Sequence, residues 1–118
     1  GETYSVCTAE HRTWGEIAEY YREICGLEAV WVDKEDFLSI IAAPSWRQGA
    51  RWQLEYDRLF DRIMDNSKVL AATGMKQSDL MPLRQGLEHE IARCPRDKEW
   101  PVLEAMDEYL RNRGRAPA

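Results

Sequence analysis

The sequence predicts an α/β fold built mainly of helices, with a few short parallel strands. Three observations carry that expectation. Residues 1 to 32 read as strand, helix, strand; amphipathic periods fill most of the remaining chain; and a 44% hydrophobic content that includes five Trp supplies a core. The 118 residues and 13.8 kDa leave room for one domain, because domains run to roughly 100 to 150 residues. A chain of this size buries about 65% of the surface it exposes when unfolded, which sets disorder aside.

Tyr4-Ser5-Val6-Cys7 is a β-prone run, followed by a polar connector without periodicity from Thr8 to Arg12. Thr13 then precedes Trp14, Ile17, Ala18, Tyr21 and Ile24 at helical spacing, with Glu16 three residues on as a capping box requires. Gly26 closes this helix in the position where a left-handed residue is favoured. Ala29-Val30-Trp31-Val32 has the branched and aromatic make-up of a second strand. If the two strands are parallel neighbours, the crossover between them is right-handed.

Asp33 is placed to cap a helix carrying Phe37, Leu38, Ile40 and Ile41, although the same apolar run suits a buried strand. Ala43 to Gly49, with Pro44 and no period, reads as a loop. From Ala50 an amphipathic helix begins, with Trp52, Tyr56, Leu59, Phe60, Ile63 and Met64 on one face. Asn66 or Ser67 caps a short helix through Lys68 to Thr73, which Gly74 ends. Pro82 opens a helix with Leu83, Leu87, Ile91 and Cys94 on one face, and Pro95 stops it. Pro101 opens the last helix, with Val102, Leu103, Met106, Tyr109 and Leu110 inward, before a frayed tail from Gly114 to Ala118.

Sixteen Lys and Arg against twenty-one Asp and Glu leave a formal net charge of -5, which disfavours nucleic acid as a partner through bulk charge. The longest uncharged apolar stretch, Phe37 to Ala43, is far short of the ~20 residues that span a bilayer, and no charged leader with an apolar run opens the sequence. No membrane association is expected. Cys7, Cys25 and Cys94 are odd in number and widely spaced, so a reducing, cytoplasmic setting is the simpler expectation.

Several chemistries lack their residues. Phosphate cradles need glycines at close spacing, whereas Gly1, Gly15, Gly26, Gly49, Gly74, Gly86 and Gly114 stand at least eleven residues apart. A tyrosine acid–base group needs a Lys one turn later to lower its pKa, and none of the five Tyr has one; Tyr109 has Arg113 there, which suits a surface contact. His11, His89 and the three Cys form no zinc-ligand pair, and no base stands beside a Cys to make it a nucleophile. For His89 and Cys94, five residues apart, the expectation is a solvent-facing imidazole and a small core thiol.

One cluster stands out. Trp46, Arg47, Arg51 and Trp52 gather flat rings and guanidinium forks within seven positions, the equipment for a ligand carrying a phosphate and a ring. The structural alternative makes Trp52 a core residue, Trp46 a loop lid and both Arg solvated. The acidic runs from Asp33 to Asp36 and Asp57 to Asp61 read as solvated helix faces.

The order of these pieces resembles the C-terminal substrate lobe of the extended short-chain dehydrogenase/reductase family, the NAD-dependent epimerase/dehydratase group. The resemblance covers residues 1 to 94. It rests on the strand and polar turn, Thr13-Trp14-Gly15-Glu16-Ile17 opening a helix that ends at Gly26, the strand at Ala29 to Val32, the segment Asp65-Asn66-Ser67-Lys68-Val69, and Pro82-Leu83-Arg84-Gln85-Gly86-Leu87, which is similar to the family's closing helix. The family's Rossmann sheet, glycine-rich loop and Tyr-x-x-x-Lys pair have no counterpart here.

The resemblance implies that residues 1–113 are a substrate-binding lobe and 114–118 a flexible tail, in a fragment whose parent chain carries the Rossmann domain. NAD or NADP is implied for the parent and no cofactor for this chain. The implied partners are the parent's Rossmann domain and a small-molecule substrate, a nucleotide sugar or a small carbonyl or hydroxyl compound. No catalytic or metal-binding residue is expected; Trp46, Arg47, Arg51, Asn66 and Lys68 are the candidate substrate contacts, with capping and surface charge as the alternative for the last two. A lobe cut from its partner domain would expose an apolar face and self-associate. The competing expectation is an independent helical interaction module, with Trp46, Trp52 and the helix from Ala50 forming a groove for a partner peptide.

Overall fold

A computed structural model describes residues 1–41, Ser45 and residues 47–113. Its elements are α1 (Trp14–Cys25), α2 (Lys34–Asp36) running on into a wide π-type turn (Phe37–Ile41), α3 (Arg47–Gln53) running on into a second such turn (Leu54–Arg58), α4 (Ser67–Thr73), a 3-10 turn (Gln77–Asp79), α5 (Leu83–Arg93) and α6 (Glu104–Arg113). The chain divides into two packing units: Gly1–Ala29 with Arg62–Arg96, and Val30–Asp61 with Asp97–Ala118.

In the first unit, α1 packs on α5. α1 begins as its sequence requires: Glu16 N donates to Thr13 Oγ1 at 3.2 Å and Thr13 N donates to Glu16 Oε2 at 2.8 Å, a reciprocal capping box. It ends at Gly26, whose φ of 71° is open to glycine at no steric cost. Arg84 of α5 pairs with Glu23 of α1 and lies over the Tyr20 ring. The start of α5 is fixed by Glu10, whose Oε2 accepts from Leu83 N at 2.8 Å and whose carboxyl this bond holds below the usual range. Asn66, 5% exposed, is the unit's buried polar side chain among the described residues.

The second unit centres on Leu38 and Ala50, 4% and 3% exposed, where the first π-type turn meets α3. Asp33 caps α2 as expected, its Oδ1 accepting from Glu35 N at 2.8 Å. α6 packs on the same π-type turn and is tied to α2 by Tyr109 Oη, which donates to Asp36 Oδ2 at 2.9 Å.

Among the described residues none lies in a strand, and this overturns the α/β expectation. A four-residue β-prone run becomes a strand only when a partner takes its N–H and C=O groups. Near the first run the partners are side chains: Cys7 O accepts from Asn66 Nδ2 at 2.8 Å and Thr3 O, just before the run, from Lys68 Nζ at 3.0 Å, while Val6 is exposed. In the second, Val30 and Trp31 are exposed and the segment spans the boundary between the units. The described chain is helical, so a parallel sheet with a right-handed crossover does not form.

Three helix ends also differ from expectation. Arg47, Gln48 and Gly49, expected in a loop, form the first turn of α3. The helix expected to reach Met64 stops at Arg58, where Leu59 N donates to Leu54 O at 2.9 Å, one residue wider than an α-turn, and Phe60 N turns back to Asp57 O. α6 begins at Glu104, with Leu103 O accepting from Met106 N and Asp107 N, three residues past the expected opening at Pro101. The tail expected at 114–118 and the loop residue Trp46 lie outside the described residues.

Candidate functional site

Two of the five residues singled out from the sequence share one pocket. A shallow cavity of about 260 Å³ in the second unit is lined by Glu35, Leu38, Ser39, Arg47, Gln48 and Arg51. α3 places Arg47 and Arg51 four residues apart, hence on one face. The turn after α2 supplies the opposite wall, and Leu38 beneath it anchors that wall in the buried centre of the unit.

Arg47 Nη2 donates to Ser39 O at 2.7 Å. Arg51 grips Glu35 with two prongs, Nη1 to Oε1 at 3.0 Å and Nη2 to Oε2 at 2.7 Å, and Nη1 also donates to Glu55 Oε1 at 3.0 Å. Lys34 Nζ donates to Glu55 Oε1 at 2.9 Å. Each group holds its neighbours in the charged form: the bond from Arg51 lowers the Glu35 carboxyl, those from Lys34 and then Arg51 lower Glu55, and the bond to Glu35 and then Glu55 raises the Arg51 guanidinium. Paired charges beside a pocket recognise an anionic group; they do not move protons near neutral pH.

Asn66 and Lys68 belong to the other unit and are engaged in holding its N-terminal segment. Asn66 Nδ2 donates to Cys7 O and to Gln77 Oε1, each at 2.8 Å, instead of capping α4. Lys68 Nζ bonds Thr3 O, stands 3.3 Å from Glu2 Oε2 and lies over the Tyr4 ring. Trp46 lies outside the described residues. Trp52, expected either to stack on a ligand or to fill the core, is exposed. Sequence reasoning missed Glu35, which falls in an acidic run that reads as solvated helix face, and Glu55, for which the four-residue interval from Arg51 was the available signal.

Among the described residues no group of three His, Cys, Asp or Glu is placed to hold a metal. Tyr109 is bonded to Asp36, which holds its phenol above the ordinary range, the reverse of what a tyrosine acid–base group needs. Among the described residues the two glycines with positive φ, Gly26 and Gly74, close helices, whereas the glycines of a dinucleotide cradle open one. All three cysteines are free. No described helix is long and apolar enough to cross a membrane. A second cavity of about 440 Å³ in the first unit, between Thr8, Glu10, Leu80 and Met81, is mostly apolar, and its Glu10 carboxylate is occupied by Leu83 N and Arg12.

Comparison with known proteins returned no match to any family model, curated protein or solved structure.

Proposed function

We propose that the chain is a helical substrate-recognition lobe of an NAD(P)-dependent epimerase/dehydratase or reductase, without catalysis of its own. The observation that carries the reading is the unfinished core. Among the described residues only Leu38 and Ala50 are buried apolar side chains, while Trp52, Tyr56, Leu59 and Phe60 in the second unit and Val6, Ile63 and Met64 in the first are exposed. So much apolar surface is covered when a larger body packs on it. With its two strands gone, what is left of the family resemblance is the helix from Trp14 that ends at Gly26, the segment Asp65 to Val69 and the helix after Pro82, and on these we take that body to be the dinucleotide-binding domain of the same parent polypeptide, in the cytoplasm. Arg47 and Arg51 would then meet the anionic part of a nucleotide sugar or the polar end of a small carbonyl or hydroxyl substrate, and the cofactor would sit wholly on the other domain.

The test is the intact mass and sequence of the native polypeptide that carries these residues, followed by NAD(P)H binding to it. A glycine-rich loop and a Tyr-x-x-x-Lys pair upstream, with Arg51→Gln raising KM more than it lowers kcat, supports the reading. A native product lacking both motifs and binding no dinucleotide overturns it. In that event the exposed run of Trp52, Tyr56, Leu59 and Phe60 favours the second reading, an interaction module that lays this face against a partner protein.

A further inference from the structure

The two carboxylates that hold Arg51 are held very differently themselves. Glu55 stands four residues after Arg51, its side chain is 30% exposed, and Lys34 Nζ bonds it at 2.9 Å. Glu35 reaches across from α2, its side chain is 59% exposed, and Lys34 stands 3.6 Å from it. The Glu35 bond is therefore a solvent-screened ion pair that opens at little cost. It also has the two-pronged geometry that a phosphate satisfies equally well. Glu35 lines the same pocket as Arg47 and Arg51, so opening the bond presents the fork of Arg51 to that pocket.

We infer that Glu35 is a built-in competitor for the anion at this pocket. Its carboxylate fills the face of Arg51 that a phosphate or diphosphate group takes, and arrival of the ligand swings Glu35 out while Glu55 keeps Arg51 in place. The inference rests on the proposed role of Arg51 as an anion contact. It makes the pocket selective by charge, because a singly charged carboxylate only matches what it must displace, whereas a diphosphate exceeds it.

Titration of the 118-residue chain with pyrophosphate, inorganic phosphate and acetate at constant ionic strength tests this, read by NMR from the Arg side-chain and pocket amide resonances. Pyrophosphate is expected to bind more tightly than acetate. Glu35→Gln tightens pyrophosphate about fivefold, the loss of one exposed competing pair. Glu35→Asp, which keeps the charge but is one methylene short of the two-pronged bond, tightens it about twofold; Arg51→Gln abolishes it. If Glu35→Gln tightens and Glu35→Asp does not, the effect is one of net charge and the competitor is refuted. If neither changes affinity while Arg51→Gln abolishes it, the competitor is refuted and the anion-contact role stands. Binding that ignores Arg51, or that is missing from both the wild type and Glu35→Gln, overturns both.

Discussion

Replacing Asn66 by Asp separates the capping role that its sequence position suggests from the tethering role that the structure gives it. Asp caps a helix as well as Asn does, so a capping Asn66 would tolerate the change. The structure gives Asn66 another task, donating Nδ2 to Cys7 O and Gln77 Oε1 at 2.8 Å each from a site 5% exposed. A carboxylate cannot donate, so both bonds are lost at about 1 kcal/mol each, and an oxygen is left facing the Cys7 carbonyl, which adds about 1 kcal/mol. Destabilisation of about 2 to 3 kcal/mol corresponds, at about 4 °C per kcal/mol for a chain of this length, to a fall in Tm of about 8 to 12 °C. Asn66→Ala, which removes the donor without adding charge, should fall by about 8 °C. Thermal unfolding followed by circular dichroism at neutral pH reads both. An Asp variant that melts with the wild type would show that the tether to Cys7 carries no stability and that the capping role is the true one.

Other contacts set further outcomes. Gly26→Ala and Gly74→Ala should each cost about 1 kcal/mol by denaturant unfolding, purely from backbone strain at a φ of 71°, since a Cβ at either site meets nothing within 4 Å. Gly15→Ala, inside α1 with only an ordinary 3.7 Å contact to Thr13 Oγ1, should instead stabilise by about 0.5 kcal/mol. Glu16 is held below its ordinary value of 4.5, first by the Thr13 backbone N–H and then by its hydroxyl. A carboxyl lowered on folding contributes stability above its unfolded pKa and loses it as pH falls through the folded one. Helicity should therefore hold at neutral pH and drop below about 4.5, and Glu16→Gln should flatten that acid limb. The isolated chain should bind the dye ANS and self-associate as its concentration rises, with Trp52→Glu and Phe60→Glu together reducing both; a dye-silent monomer in sedimentation velocity contradicts the unfinished core.

What was legible in the sequence was local. α1 is read correctly at both ends because Thr13, Glu16 and Gly26 act within one turn of where they stand, and the same holds for Asp33 before α2 and Gly74 after α4. The strands failed because β propensity at Tyr4 to Cys7 and Ala29 to Val32 has meaning only beside a second strand, and no local pattern states whether one is present. Asn66 has the composition of a cap, but a carbonyl 59 residues away takes its amide. The pocket was half legible: Arg47 and Arg51 stand out as guanidinium groups close together in the sequence, although Arg47 was expected in a loop, whereas Glu35 reaches Arg51 across 16 residues through the turn after α2. The end of the long helix at Arg58 depends on a widened turn that leaves the apolar spacing of Leu59, Ile63 and Met64 unchanged, so periodicity alone ran past it.

Hydroxyl-radical footprinting of Trp52, Tyr56 and Phe60, compared between the isolated 118-residue chain and the native polypeptide that carries it, tests the proposed lobe most directly. These rings are exposed in the chain alone. Strong labelling in the isolated chain and protection in the native polypeptide is the expected result for a lobe whose apolar face is covered by a dinucleotide-binding domain. Equal labelling in the two would contradict it, because the surface that calls for a covering domain would then have none.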